Sequence, residues 1–114
     1  MTRDCPATPV PFSQGTAAPR TALPAGACDC HVHVYDQRYS AAPSAKLLPP
    51  DASASDYRAL QQRLGTERTV LVTPSTYGAD NRCMLQGLAA LGEQARGVAV
   101  IDGRESDAQL QALH

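Results

Sequence analysis

The run Thr69-Val70-Leu71-Val72-Thr73 has no polar alternation and is β-branched at four of its five positions. A strand with one wet face alternates apolar and polar side chains. A strand without alternation has cover on both faces, as in a parallel sheet with helices packed against it. Parallel neighbours need long crossovers, and the sequence on either side of this run is patterned to supply them. Ala27 to Tyr35 reads as a preceding strand, followed by a polar, proline-containing loop over Asp36 to Pro50. Ser53 or Ser55 can cap a helix that places Tyr57, Leu60 and Leu64 on one side and ends at Gly65.

After the central strand, Pro74 to Tyr77 reads as a turn and Asp80 as the cap of a second helix with the stripe Leu85, Leu88 and Leu91. Gly97 to Ile101 is predicted as a third strand. Ser106 with Gln109 forms a capping-box pattern before Leu110 and Leu113, so a third helix begins and is cut off at His114. Strand and helix thus alternate through three units, which right-handed crossovers arrange as a parallel α/β sheet. Periodicity does not separate an open sheet from the start of an eight-unit barrel, but a chain stopping inside an element points to part of something larger. The expected fold is a partial (β/α) TIM-type barrel over residues 27–114. It is preceded by an extended arm over residues 1–26, where Pro6, Pro9, Pro11, Pro19 and Pro24 oppose regular structure.

At 114 residues the chain has room for one domain. Its formal net charge of −1 gives no electrostatic footprint for nucleic acid or an anionic membrane. No apolar run approaches the roughly 20 residues that span a bilayer, and the first residues lack the apolar core of a secretory signal. The expectation is a cytoplasmic protein with a small-molecule partner. The four cysteines, Cys5, Cys28, Cys30 and Cys83, are expected as reduced thiols. Cys28 and Cys30 read as small core residues on the side of the strand opposite His31 and His33, an alternation that argues against one four-ligand zinc cage.

The segment Cys28-Asp29-Cys30-His31-Val32-His33-Val34-Tyr35-Asp36 carries the chemistry. Residues two apart on a strand point the same way, so His31 and His33 present paired imidazoles that can hold a divalent metal or polarise a carbonyl. A lone strand histidine is more often a satisfied core residue; two flanking one valine just before a long loop favour a site. In parallel β/α units, functional side chains gather at the C-terminal ends of strands, where Ser75, Thr76 and Asp102 also fall. Ser75 and Thr76 can equally serve as turn-formers, and Tyr57 and Tyr77 can line a pocket or merely pack. Asp80 and Asn81 are better read as helix caps than as chemistry.

The segments CDCHVHVYD, AKLLPPDAS, VLVTPSTYGADN and ARGVAVID, in this order, resemble the amino-terminal third of an amidohydrolase-superfamily barrel. The likeness is strongest to its pyrone dicarboxylate lactonase and sulfomuconolactone hydrolase branch. The resemblance implies hydrolysis of a lactone carrying carboxylates. In metal-dependent members the residues matching His31 and His33 bind zinc or a related ion. In the pyrone lactonase branch the metal is dispensable, and they help polarise the lactone carbonyl while a carboxylate from the last strand activates water. Ser75 falls where the lactonase has a substrate-contacting serine, with Thr76 beside it, while Leu47 replaces a substrate-binding tyrosine and points to a different lactone. The family's arginine clamp, further histidine and catalytic aspartate would all lie beyond His114.

The chain by itself is therefore expected to be inactive, since only the carbonyl-polarising group has candidates here. One alternative is a non-catalytic remnant or binding module. Another is a metal-dependent amidohydrolase or decarboxylase of the same superfamily. The open edges of a three-stranded parallel sheet are expected to favour self-association.

Overall fold

A computed structural model describes residues 12–114. Cys5, Pro6, Pro9 and Pro11 lie outside this range. The elements are β1 (Cys28–Val32), α1 (Ala54–Leu64), β2 (Arg68–Val72), a 3-10 turn (Ser75–Tyr77), α2 (Arg82–Leu91), a 3-10 turn (Gly92–Gln94), β3 (Ala95–Val98) and α3 (Asp107–Leu113). The strands form one parallel sheet in the order β1-β2-β3, as the unalternating Thr69–Thr73 run predicts.

Local chemistry sets the helix ends. Of the two serines offered for α1, Ser53 is the cap: its Oγ accepts from the Asp56 amide, and the Asp56 carboxylate accepts from the Ser53 amide. Gly65 closes the helix in the left-handed region at φ 86°. Ser106 and Gln109 make the same reciprocal pair at α3. The start of α2 differs from expectation. Asp80 does accept from the Arg82 amide, but the cap position is Asn81, and its side chain makes no capping bond.

That side chain is spent elsewhere. The Asn81 carboxamide donates to the Val100 carbonyl and accepts from the Val100 amide, both at 2.9 Å, and its oxygen also accepts from Thr73 Oγ1 at 2.7 Å. It thereby stands in for a neighbouring strand. This is the physical reason that β3 ends at Val98 rather than at the expected Ile101; its start at Ala95, two residues before the expected Gly97, follows from pairing with Thr69. Beyond Val98, the chain bonds to a side chain instead of to β2. Likewise β1 stops at Val32 instead of running to Tyr35. Tyr35 turns to exchange backbone hydrogen bonds with Ala52 in an isolated antiparallel bridge.

The core lies between the sheet and α2, where Val34, Leu71, Tyr77, Cys83 and Met84 are buried and Val32, Leu88 and Leu91 pack around them. Leu71 is fully enclosed, a burial that stabilises the fold by about 2 kcal/mol. Two glycines permit the close approach. A Cβ on Gly97 would lie 2.7 Å from Leu88 and Met84, and one on Gly87 would lie 2.9 Å from Leu71. On the opposite face Val70 and Val72 are half-buried, and Val72's partner Val98 is 49 % exposed.

The register between β1 and β2 slips once. Asp29 pairs with the buried Thr69 and Val32 with the buried Leu71, so Cys30 and His31 together span the stretch opposite Val70. Asp29 and Val32 consequently share the helix-covered face although they are three residues apart. Two expectations are thereby corrected. Cys28, partnered with Arg68, is not on the side opposite His31 and His33, because strict alternation does not run through the bulge. Cys28 and Cys30 are not core residues either: β1 is an edge strand, Cys28 is half-buried and Cys30 exposed. Among the described residues, Cys83 is the buried thiol.

The described part of the arm, 12–25, is exposed and holds no helix or strand, yet α1 grips it. Arg63 donates to the Gln14 carbonyl and to Ser13 Oγ. No helix among the described residues is long and apolar enough to cross a membrane.

Candidate functional site

His31 and His33 flank Val32, whose side chain packs into the core, so both imidazoles stand on the uncovered face of the sheet. Their ring centroids are 5.1 Å apart and the planes meet at 84°. His31 is exposed. His33 is half-buried and its Nδ1 lies 2.8 Å from the carbonyl oxygen of Val72 at the end of β2. A carbonyl oxygen only accepts, so Nδ1 carries the hydrogen and Nε2 is left to face a ligand. In the neutral ring Nε2 is a lone pair, suited to a metal or to accepting a proton. In the imidazolium it is a donor, suited to a carbonyl oxygen.

A tetrahedral zinc set needs two donors beyond this pair. Asp29 does not provide one. It lies on the helix-covered face, where its Oδ2 accepts from the Tyr57 hydroxyl at 3.2 Å. Among the described residues no group of three or more histidine, cysteine or acidic side chains comes together. The pair fits a metal as part of a ligand set, through His33 Nε2 and a nitrogen of His31.

Beyond β2 the 3-10 turn separates the two predicted hydroxyls. Ser75 is exposed and carries no side-chain bond to a described partner. Thr76 is 5 % exposed, and its Oγ1 donates to the Leu47 carbonyl at 2.9 Å, so its hydroxyl already serves the long loop. Asp102 is exposed beyond β3, where its carboxylate accepts from the Arg104 amide. The structure thus brings the two histidines together, with Ser75 three residues past the carbonyl that orients His33, and leaves Asp102 in a separate surface turn.

Tyr77 emerges as a residue whose role sequence reasoning left open. It is 5 % exposed, and its hydroxyl donates to the Asp36 carbonyl at 3.0 Å and accepts from the Asp36 amide at 2.9 Å. Burial pushes its phenol up to about 12. No spacing rule reveals such a contact, because the partner is a backbone unit 41 positions away. Beside the histidines, where the edge of β1 meets α1, a cavity of about 330 Å³ is lined by Phe12, Asp29, His31, His33, Asp56 and Tyr57 among others, its two carboxylates engaged by the Tyr57 hydroxyl and the Ser53 amide.

Comparison with known proteins places the fold in a family. The amidohydrolase family model matches residues 28–114. The 2-pyrone-4,6-dicarboxylate hydrolase of Comamonas testosteroni is 44% identical over 98 residues, which is 84% of this chain and 32% of that protein. The D-galactarolactone isomerase of Agrobacterium fabrum is 36% identical over 98 residues, covering 84% of this chain and 34% of its own length. The 4-sulfomuconolactone hydrolase of Rhizobium radiobacter is 44% identical over 62 residues, 53% of this chain and 21% of that protein. Among solved structures, an apo protein of Agrobacterium tumefaciens superposes with a TM-score of 0.76 at 35% identity, covering 85% of this chain and 35% of its own. The chain spans about a third of the length of the first curated relatives it matches, and its three β/α units match a corresponding fraction of the barrel in the solved neighbour.

Proposed function

Because this chain belongs to the amidohydrolase family, we propose that it carries the carbonyl-facing part of a lactone hydrolase site, with a cyclic ester bearing carboxylate groups as substrate. The observation that carries this reading is the imidazole pair on the open face of the sheet, one ring of which is fixed by the Val72 carbonyl so that Nε2 faces outward. In lactone hydrolysis water adds to the ester carbonyl, the ring C–O bond breaks, and a carboxylic acid and a hydroxyl result. Charge builds on the carbonyl oxygen as water adds, and a donor preset at that oxygen lowers the barrier.

His33 as imidazolium supplies such a donor from Nε2, and His31 stands beside it on the same face. Ser75, exposed past the end of β2, offers its hydroxyl to a substrate carboxylate. A divalent ion such as zinc, held by the same two residues with further ligands, would polarise the carbonyl and lower the pKa of bound water. The base that activates water and a cationic clamp for the carboxylates are not assigned to any described residue.

Two of the relatives are hydrolases by name and one is an isomerase, and a lactone is common to all three. Isomerisation of a sugar lactone is the second reading, favoured by the 36% identical isomerase. A chimera in which this chain replaces the matching segment of the Comamonas testosteroni hydrolase tests both. The expected result is ring opening of 2-pyrone-4,6-dicarboxylate or, as Leu47 favours, of another lactone such as 4-sulfomuconolactone, reduced about 100-fold or more by His31→Ala and by His33→Ala. A folded, active chimera indifferent to both substitutions overturns the assignment. Conversion of D-galactarolactone to a rearranged lactone, without ring-opened acid, selects the second reading.

A further inference from the structure

The 3-10 turn Ser75–Tyr77 sends four hydrogen bonds into the 36–52 loop. The Tyr77 hydroxyl is doubly engaged with the backbone of Asp36, Thr76 Oγ1 donates to the Leu47 carbonyl, and the Thr76 carbonyl accepts from the Ala42 amide at 2.8 Å. Thr76 and Tyr77 are both 5 % exposed, so these bonds are shielded from competing water. Gly78, at φ 57°, keeps its backbone so near the loop that a Cβ there would sit 3.2 Å from Ala42.

At its far end the loop is closed by the mutual backbone bonds of Tyr35 and Ala52 and by the Gln37 amide donating to Asp51. A loop of this length that follows a catalytic strand often acts as a mobile lid. This one is bolted to the neighbouring unit. Beneath it remains a cavity of about 340 Å³ lined by Tyr35, Tyr39, Leu48, Thr76 and Tyr77, and the Tyr35 ring lies 6.1 Å from that of His33.

We infer that Tyr77 is a positioning residue, which locks the segment leaving His33 to the turn that carries Ser75, so that one ligand can meet the imidazole and the hydroxyl together. This rests on the reading of His33 and Ser75 as parts of a lactone site. The phenol suits the task because it satisfies both polar groups of one peptide residue at once, at a point three residues beyond His33 and two beyond Ser75. With Thr76 acting on Leu47, the loop becomes a fixed wall of the site.

The test uses the 114-residue chain, with Tyr77→Phe and, as a milder second variant, Thr76→Val. Tyr77→Phe keeps the ring in the core and removes both hydroxyl bonds; Thr76→Val keeps the shape and removes the bond to Leu47. Two readouts are taken well below the unfolding temperature of each variant. One is amide exchange of Asp36 and Ala42, with nuclear Overhauser contacts between the loop and residues 75–77. The other is the dissociation constant for 2-pyrone-4,6-dicarboxylate.

The expected result for Tyr77→Phe is faster Asp36 exchange, loss of loop-to-turn contacts and affinity weakened about tenfold, the size of one lost hydrogen bond. Thr76→Val should loosen the loop around Leu47 with a smaller loss. Wild-type exchange and contacts in Tyr77→Phe overturn the inference. So does a loosened loop with unchanged affinity, since that is what a purely structural tyrosine would give. If the unsubstituted chain ignores the pyrone while the loop loosens as expected, the two variants are read in the chimera, where an unchanged KM overturns the inference and an unsubstituted chimera that folds but opens no lactone overturns the lactone reading.

Discussion

Nδ1 of His33 lies 2.8 Å from the carbonyl oxygen of Val72, to which it donates, tying the side chain of one strand's end to the backbone of the next. The bond fixes both the rotamer and the tautomer of the ring, in the way second-layer contacts orient metal-binding or carbonyl-facing histidines elsewhere. Nitrogen-15 NMR at a pH where the ring is neutral should therefore show His33 with a protonated Nδ1 and an unprotonated Nε2. His31, which has no ring hydrogen bond to a described partner, should show a mixture of tautomers. A His33 signal dominated by protonated Nε2 would contradict the structure.

Asn81 is 8 % exposed and satisfies Val100 on both its backbone groups. Asn81→Leu removes those partners while keeping approximate volume. Val100 is 36 % exposed and its freed groups can turn to water, whereas the buried Thr73 hydroxyl loses its acceptor, so a loss of about 1–3 kcal/mol is expected. A urea titration reads this as a lower midpoint, and exchange of the Val100 amide should accelerate beyond the global change. An unchanged midpoint would show that the Thr73 hydroxyl finds water as well.

The contact between Gly97 and α2 predicts a steric penalty. Alanine there places a methyl 2.7 Å from Leu88 Cδ1 and from Met84 Sδ, both held in the core layer. Gly97→Ala should destabilise the chain by about 1–3 kcal/mol, the usual range for overpacking, although alanine is the stiffer residue in the unfolded state. Thermal unfolding followed by circular dichroism checks the direction, and a rise in midpoint would refute it.

Burial raises the Tyr77 phenol from its ordinary 10 to about 12. An acid that holds its proton more tightly when folded adds stability that is complete below its unfolded pKa and disappears as pH climbs to the folded one. The urea midpoint should accordingly fall between pH 10 and pH 12. Tyr77→Phe should flatten that fall without abolishing it, because burial also raises the phenols of Tyr35 and Tyr57. An identical slope in the variant would mean that Tyr77 ionises freely in the folded chain.

What could be read in the sequence was whatever neighbours in the chain decide. A serine at 53 or 55, Gly65, and Ser106 with Gln109 act within a few residues, and the helix ends fell there, the structure choosing Ser53 through its exchange with Asp56. The parallel sheet was legible because Thr69–Thr73 lacks alternation, although among the described residues helices cover one face alone and Val70 and Val72 are half-buried on the other. The end of β3 was not, since it is decided by the carboxamide of Asn81, 19 positions before Val100. The exposure of Cys30 was hidden for a similar reason: a short apolar-looking run does not say that it forms an edge. In the site, the His31–His33 spacing was visible, whereas the Val72 carbonyl and the Asp36–Tyr77 bridge exist only once β1 and β2 are side by side.

The slip opposite Val70 gives β1 a place that can absorb a change of length. Cys30 is the surplus residue there, and a chain lacking it would still turn Asp29 and Val32 to the helices and both imidazoles away from them. Losing Val32 instead would swing His33 into the position against Leu71 and take it out of the site. Deletions in this strand are thus sorted by where they fall: absorbed at the bulge, and disruptive one step beyond it.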